Sequence, residues 1–161
     1  MREIIFVNTV ELKRTKEELK EKLNVEITLE GKKVTVRGDS LDEYEAGIVL
    51  DAMSLGFSAA KALDLKDESK IFRVLNIKSI SRKSNLKEVR ARVIGSKGRT
   101  KKTMEDISGC DIIIRDNDVG IIADAEVIDE VVTAVSNLIR GTKQANTYRY
   151  LEKMNAKKKE M

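Results

Sequence analysis

The chain has 161 residues, 41% of them hydrophobic and 36% charged, with a formal net charge of +4, which predicts a packed core in one ordinary domain or two very small ones. One cysteine and no histidine exclude an internal disulfide, a cysteine-rich zinc site and imidazole-based catalysis. No segment approaches the roughly 20 apolar residues of a membrane span, so we expect a cytoplasmic protein. We also expect neither a cofactor nor a metal.

The first half of the chain contains predicted strands over residues 3–8, 25–29 and 33–37, with a turn at Gly31 and Lys32. Helices are predicted over residues 15–23 and 40–63. Residues 1–70 carry 12 basic and 15 acidic side chains, so this half has a net charge of −3. We interpret residues 1–63 as a structural or protein-facing unit.

The second half begins with a predicted strand over residues 72–80. Asn85, with Glu88 three residues later, then has the pattern of a helix N-terminus. Leu86, Val89 and Val93 follow at helical spacing, which predicts a helix up to Ile94.

A short helix is predicted beyond this point, closed by Gly109 in a left-handed conformation. Strands over residues 111–115 and 119–123 follow, joined by Asp116-Asn117-Asp118. These two aspartates could in principle hold Mg²⁺, but a tight turn is the simpler interpretation. Asp124 is expected to cap a last helix that ends at Gly141.

The two halves resemble each other when the sequence is shifted by 85 positions. Arg14-Thr15-Lys16 then falls on Arg99-Thr100-Lys101, and the order of predicted elements is similar. One segment differs, because Gly95-Ser96-Lys97-Gly98 corresponds to Val10-Glu11-Leu12-Lys13. The glycine loop is therefore expected in the second half alone.

Gly95-Ser96-Lys97-Gly98 lies in the most basic part of the chain. Between Lys78 and Lys102 there are ten Lys or Arg residues and one acid, Glu88, and residues 71–161 have a net charge of +7. Glycines without Cβ atoms allow close approach of a phosphate backbone, and the following helix would direct its positive dipole end at it. The pattern predicts a clamp for a nucleic-acid backbone.

Strand, helix, Gly95-Ser96-Lys97-Gly98, helix, two strands and helix resemble a type I KH domain, whose Gly-x-x-Gly loop lies at this position. The chain is thus similar to two KH units in an α+β fold, each a three-stranded antiparallel sheet with helices on one face. The implied organisation is a degenerate unit over 1–63, a unit with the glycine loop over 71–141 and a basic helix or tail over 142–161.

Gly56-Phe57-Ser58, Phe72-Arg73-Val74 and Gly141 with Tyr148 and Leu151 further resemble the KH-type small-subunit ribosome assembly factor of archaea and eukaryotes. This resemblance implies a non-enzymatic protein that binds single-stranded rRNA near the 3′ end of the small-subunit RNA. It also implies two partners, the precursor of the small ribosomal subunit and a PIN-domain endonuclease. Archaeal members commonly keep a glycine loop in the first unit too, and this sequence departs from them there.

The expected RNA-binding residues surround the loop. Phosphate contacts are expected from the loop and from cations beside it, and base contacts from isoleucines that would line an apolar groove. Core packing is the competing interpretation for each isoleucine. The full set is Arg90, Arg92, Ile94, Gly95, Ser96, Lys97, Gly98, Arg99, Lys101, Lys102, Ile112 and Ile114.

Two alternatives to the assembly factor remain open from the sequence. One is a general KH module in translation or RNA decay, which would share the fold and bind a different RNA. The other is a scaffold whose KH folds contact only proteins.

Overall fold

A computed structural model describes residues 1–160 and divides the chain into two compact units, with the boundary between Glu68 and Ser69. Each unit contains one three-stranded antiparallel sheet, and the two sheets have the same strand order, with the last strand of each unit in the centre. The predicted α+β fold with a duplicated arrangement is confirmed. Within residues 1–160 no helix is both long and apolar enough to cross a membrane.

The first unit runs through seven elements. These are β1 (Arg2–Ile5), α1 (Val10–Leu23), β2 (Glu26–Glu30), β3 (Lys33–Arg37), α2 (Ser40–Leu55), α3 (Ala59–Leu63) and a 3₁₀ turn over Asp64–Lys66. The strand predicted over 33–37 is β3. The other strands are shifted by one to three residues at their ends.

Two helix predictions in the first unit were wrong in their bounds. The helix predicted over 40–63 is interrupted after Leu55, because Gly56 has a φ of 126° and Ser58 starts α3 by accepting a hydrogen bond from the Lys61 amide at 3.3 Å. The helix predicted from Thr15 begins at Val10, where the Asn8 side chain accepts from the Val10 amide at 2.9 Å. Val10–Lys13 therefore forms the first turn of α1 where the second half has its glycine loop.

The second unit contains nine elements. These are β4 (Lys70–Asn76), α4 (Ile77–Ile80), α5 (Leu86–Ile94), a 3₁₀ turn over Ser96–Gly98, α6 (Arg99–Ser108), β5 (Asp111–Arg115), β6 (Asp118–Asp124), α7 (Ile128–Arg140) and α8 (Gln144–Lys159). The C-terminal segment from 142 thus forms a helix within this unit, and Met161 lies outside the described residues. The predicted cap at Asn85 is confirmed, since its Oδ1 accepts from the Glu88 amide at 3.2 Å.

The strand predicted over 72–80 was wrong in its second half. β4 ends at Asn76, which pairs with Asp118, the first residue of β6, so no partner strand remains beyond it. The Asn76 side chain accepts from the Ser79 amide at 3.0 Å and starts the short helix α4. Ile77 is consequently fully buried in the core.

Asp124 does not cap the last predicted helix. Its carboxylate pairs with Lys70 Nζ at 2.7 Å across the sheet, and α7 begins only at Ile128 without a side-chain cap. The C-terminal end agrees with the prediction, because Gly141 closes α7 with a φ of 117°.

The core of the second unit lies between one face of its sheet and its helices. Ile112, Val119, Ile121 and Ala123 supply the sheet side, and helices α4 to α8 all contribute buried side chains. Cys110 is part of this core. Burial, with the carboxylates of Glu105 and Asp111 adding to it, raises the pKa of the Cys110 thiol to about 12, so the thiol stays protonated near neutral pH.

Candidate nucleic-acid interface

The glycine loop joins the C-terminal end of α5 to the N-terminal end of α6 within the second unit. Gly95, Lys97 and Gly98 all have positive φ, at 80°, 55° and 75°. The Gly98 amide donates to the Gly95 carbonyl at 3.1 Å and closes the loop on itself. Ser96 and Lys97, at its tip, are exposed.

The two glycines of the loop have different surroundings. A Cβ on Gly95 would lie 2.2 Å from Thr100 Oγ1 and 2.5 Å from the Thr100 amide nitrogen, closer than atoms can approach. A Cβ on Gly98 would meet nothing within 4 Å. Gly95 therefore lets the loop pack on the first turn of α6, whereas Gly98 leaves open space in which a ligand backbone can come close.

Cations surround the start of α6, where a helix dipole ordinarily favours acidic side chains. Its first turn contains no acid, and Gly98 at the N-cap has no side chain to accept from the free amides. Lys97 and Arg99 are exposed and make no ion pair within residues 1–160. Positive charge at the positive end of the helix weakens the isolated fold slightly, and a bound phosphate would offset this cost.

Lys101 and Lys102 are less free than their neighbours. Lys101 Nζ lies 3.1 Å from Glu105 Oε1, and Lys102 Nζ lies 3.6 Å from Asp106 Oδ1. The other oxygen of Glu105 accepts from the Ile112 amide at 2.9 Å and ties α6 to β5. Ion pairs within one helix at or near the surface contribute about 0 to 1 kcal/mol, so a phosphate can compete for these lysines.

The structure places the two arginines of α5 on different sides. Arg90 Nη1 donates to Asn117 Oδ1 at 2.8 Å, which brings Arg90 to the turn between β5 and β6. Arg92 instead contacts the end of α7, where its Nη1 would be 3.6 Å from a Cβ on Gly141. Of the two, Arg90 is the one that shares a helix face with Ile94 beside the loop.

The three isoleucines expected to contact bases also separate. Ile112 is 3% exposed and belongs to the core cluster, as the competing interpretation required. Ile94 and Ile114 are half-buried, and Ile114 packs against the core from its edge. Ile94 and Ile114 thus remain accessible to a base, whereas the Ile112 side chain faces the core.

Sequence reasoning missed the supporting roles of Thr100 and Asn117. Thr100 is buried and defines the space that excludes any side chain at position 95. Asn117 was expected only as a turn residue, yet it holds Arg90, and its carbonyl accepts from the Ile77 amide at 2.7 Å. The alignment of Thr15 with Thr100 in the internal repeat was a usable signal for the role of Thr100, because both threonines are buried in corresponding helices.

Asp116 and Asp118 behave as turn residues. Asp116 has a φ of 52°, and the Asp118 carboxylate accepts from Asn76 Nδ2 at 3.0 Å. Nothing in residues 1–160 brings three or more acidic or cysteine side chains together as a metal site would require.

A three-stranded antiparallel sheet with a Gly-x-x-Gly loop between two helices defines the class of KH domains, and comparison with known proteins agrees. The model for the second KH domain of PNO1-type proteins, described as a eukaryotic-type KH domain (KH-domain type I), matches residues 71–156. The chain belongs to this family of KH-domain RNA-binding proteins. The matched range includes most of α8.

Several relatives are similar over most of this chain. A KH domain-containing protein of Methanocaldococcus jannaschii is 28% identical over 141 residues, which are 84% of this chain and 62% of that protein's length. The crystal structure of Dim2p from Pyrococcus horikoshii has a TM-score of 0.86 at 28% identity and covers 94% of this chain and 98% of its own.

A second structure from the same organism contains a/eIF2alpha, aDim2p and rRNA. It has a TM-score of 0.86 at 27% identity and covers 97% of this chain and 94% of its own. A protein of unknown function from Aeropyrum pernix has a TM-score of 0.85 at 27% identity, with coverage of 99% and 93%. The fold of this chain, with its two sheets, therefore recurs in archaeal proteins.

Proposed function

We propose that this protein binds single-stranded rRNA near the 3′ end of the small-subunit RNA during assembly of the small ribosomal subunit. The observation that carries the proposal is the loop itself, in which Gly98 borders open space and Lys97 and Arg99 are unpaired. In KH domains a loop of this kind holds the backbone of four nucleotides. The solved complex of a similar archaeal protein with rRNA supports the choice of RNA.

The proposed contacts follow the geometry of the second unit. Backbone amides of the loop and of the first turn of α6 hold phosphates, together with Lys97 and Arg99. Lys101 and Lys102 exchange their intrahelical partners for phosphate, and Arg90 borders the bases from α5. Ile94 and Ile114 supply the apolar surface under the bases, and hydrogen bonds to base edges supply selectivity.

The role is binding, and any cleavage of the rRNA belongs to a partner. The family resemblance supports a PIN-domain endonuclease as that partner, with the precursor of the small subunit as the cytoplasmic target. A second candidate function is a KH module in translation, which the presence of a/eIF2alpha in the similar rRNA complex favours.

The test compares binding of an oligonucleotide from the 3′ end of the small-subunit rRNA with a scrambled one. We expect tighter binding of the first, and the double variant Lys97→Asp, Gly98→Asp should abolish binding, since it reverses charge where no neighbour is disturbed. Equal binding of both oligonucleotides would show that the protein binds RNA but does not select the 3′ end of the small-subunit rRNA.

The chain offers a matched control for this variant. Gly31 also has a positive φ, of 62°, with nothing within 4 Å of a Cβ, and Lys32 beside it is exposed. Gly31→Asp, Lys32→Asp makes the same change in charge in the first unit and likewise places an aspartate at a glycine with positive φ. If this control loses RNA binding as fully as the loop variant does, the loop is not the site.

A further inference from the structure

A second cationic site lies between the segment that precedes α5 and the end of α7. A pocket of about 370 Å³ is lined by Ile80, Ser81, Arg82, Lys83 and Arg140. A space of this size admits a phosphate group with water bound to it. Three of its five lining residues are cationic, and no acid lines it.

No acidic side chain among the described residues pairs with the cations of this pocket. Arg82, Lys83 and Arg140 are exposed, and none of them makes an ion pair within residues 1–160. Like charges gathered in one concave surface repel each other and attract anions. Arg92 adds a fourth positive charge nearby, because its Nη1 is buried at Gly141 without a hydrogen-bond partner.

A structural role at the helix end does not explain these cations. Cations often stabilise the C-terminal end of a helix by binding its last carbonyls. In the last turn of α7 backbone amides already bind two carbonyls, since Gly141 and Thr142 both donate to the Asn137 carbonyl and Gly141 also donates to that of Leu138. The side chains of the pocket are therefore free to bind a ligand.

We infer that this pocket binds a phosphate of the same RNA strand that the glycine loop holds, beyond the nucleotides in the KH groove. The inference rests on the proposed function. The pocket is lined by the segment before α5 and by the end of α7, and the loop follows α5, whose nine residues span about 13 Å at 1.5 Å per residue. Along the chain, Lys87, which is exposed and unpaired, and Arg90 lie on α5 between the pocket segment and the loop.

The test measures affinity for a tetranucleotide from the 3′ end of the small-subunit rRNA, which matches the four nucleotides that a KH loop holds, and for a dodecanucleotide from the same end. The variant Arg82→Gln, Lys83→Gln, Arg140→Gln should bind the tetranucleotide like the unaltered protein. It should bind the dodecanucleotide about tenfold more weakly, with a log-log salt dependence shallower by about 0.7 for each phosphate that the variant no longer neutralises. Thermal unfolding of the variant should be unchanged, because all three side chains are exposed.

A matched control removes three unpaired lysines of the first unit, as Lys13→Gln, Lys16→Gln, Lys32→Gln, and should leave both affinities unchanged. If the pocket variant binds the dodecanucleotide like the unaltered protein, or if the control loses as much affinity, the inference is overturned and the proposed function stands. If the unaltered protein binds neither oligonucleotide, both fail together.

Discussion

Gly95 and Gly98 have similar φ values, but they are glycines for different physical reasons. At position 95 the neighbouring turn of α6 leaves no room for a side chain. At position 98 the surrounding space is empty, and the positive φ alone disfavours other residues. One glycine shapes the loop, and the other keeps it open to a ligand.

Replacement of each glycine by alanine should separate these roles. Gly98→Ala should lower the free energy of unfolding by about 1 to 2 kcal/mol, the cost of a left-handed residue with a Cβ. Gly95→Ala should cost more and should also weaken RNA binding, because the loop must move away from Thr100. Urea unfolding and oligonucleotide titration measure the two effects.

Gly31→Ala, at a turn with a φ of 62° and surroundings as open as those of Gly98, provides the reference for the strain of a Cβ at positive φ. Equal losses of stability for Gly95→Ala and Gly31→Ala would show that Thr100 does not constrain the loop.

Helix α8 is the element whose role the sequence described least. Thr147 and Leu151 are buried, and the Asn155 side chain donates to the Ile107 carbonyl at 3.1 Å near the end of α6. Lys158 Nζ lies 2.9 Å from Glu130 Oε1 and joins α8 to α7. The helix thus supports α6, the element that presents the start of the proposed phosphate site.

Leu151→Ala should lower the free energy of unfolding by about 2 to 4 kcal/mol, the usual cost of removing a buried leucine side chain. The loss is measured by denaturant unfolding, with Lys153→Ala on the exposed face of α8 as control, for which a change within about 0.5 kcal/mol is expected. A loss for Leu151→Ala no larger than that of the control would mean that α8 is not part of the folded unit.

Across the whole chain, the two units share one fold but have net charges of opposite sign. Both units have the same sheet order, yet residues 1–70 have a net charge of −3 and residues 71–161 one of +7. The first unit also begins α1 where the second has its glycine loop. Two copies of one architecture therefore differ in their attraction for a polyanion.

Ultraviolet crosslinking of bound oligonucleotide, followed by peptide mapping, should place crosslinks in residues 78–118 and few in residues 1–68. The physical reason is that the cationic loop is present in the second unit and replaced by a helix in the first. Crosslinks of equal yield in α1 would contradict this division. As a check on specificity, the crosslinks in residues 78–118 should disappear in the Lys97→Asp, Gly98→Asp variant.

The sequence by itself determined those features that depend on neighbouring residues. The Asn85 cap, the helix ends at Gly109 and Gly141, the strands at 33–37 and 111–115 and the position of the glycine loop all follow from local side-chain chemistry and spacing. The repeat pattern further indicated the shared order of elements. These predictions were confirmed because the determining residues lie within a few positions of each other.

Only the tertiary structure decided which side chains of those elements face a ligand. Ile112 and Ile114 lie on one strand, yet Ile112 is buried in the core and Ile114 lies at its edge. Arg90 and Arg92 are two positions apart on one helix, and contacts with Asn117 and Gly141 send them to different places. Such choices depend on packing between residues distant in sequence, which periodicity and propensity do not record.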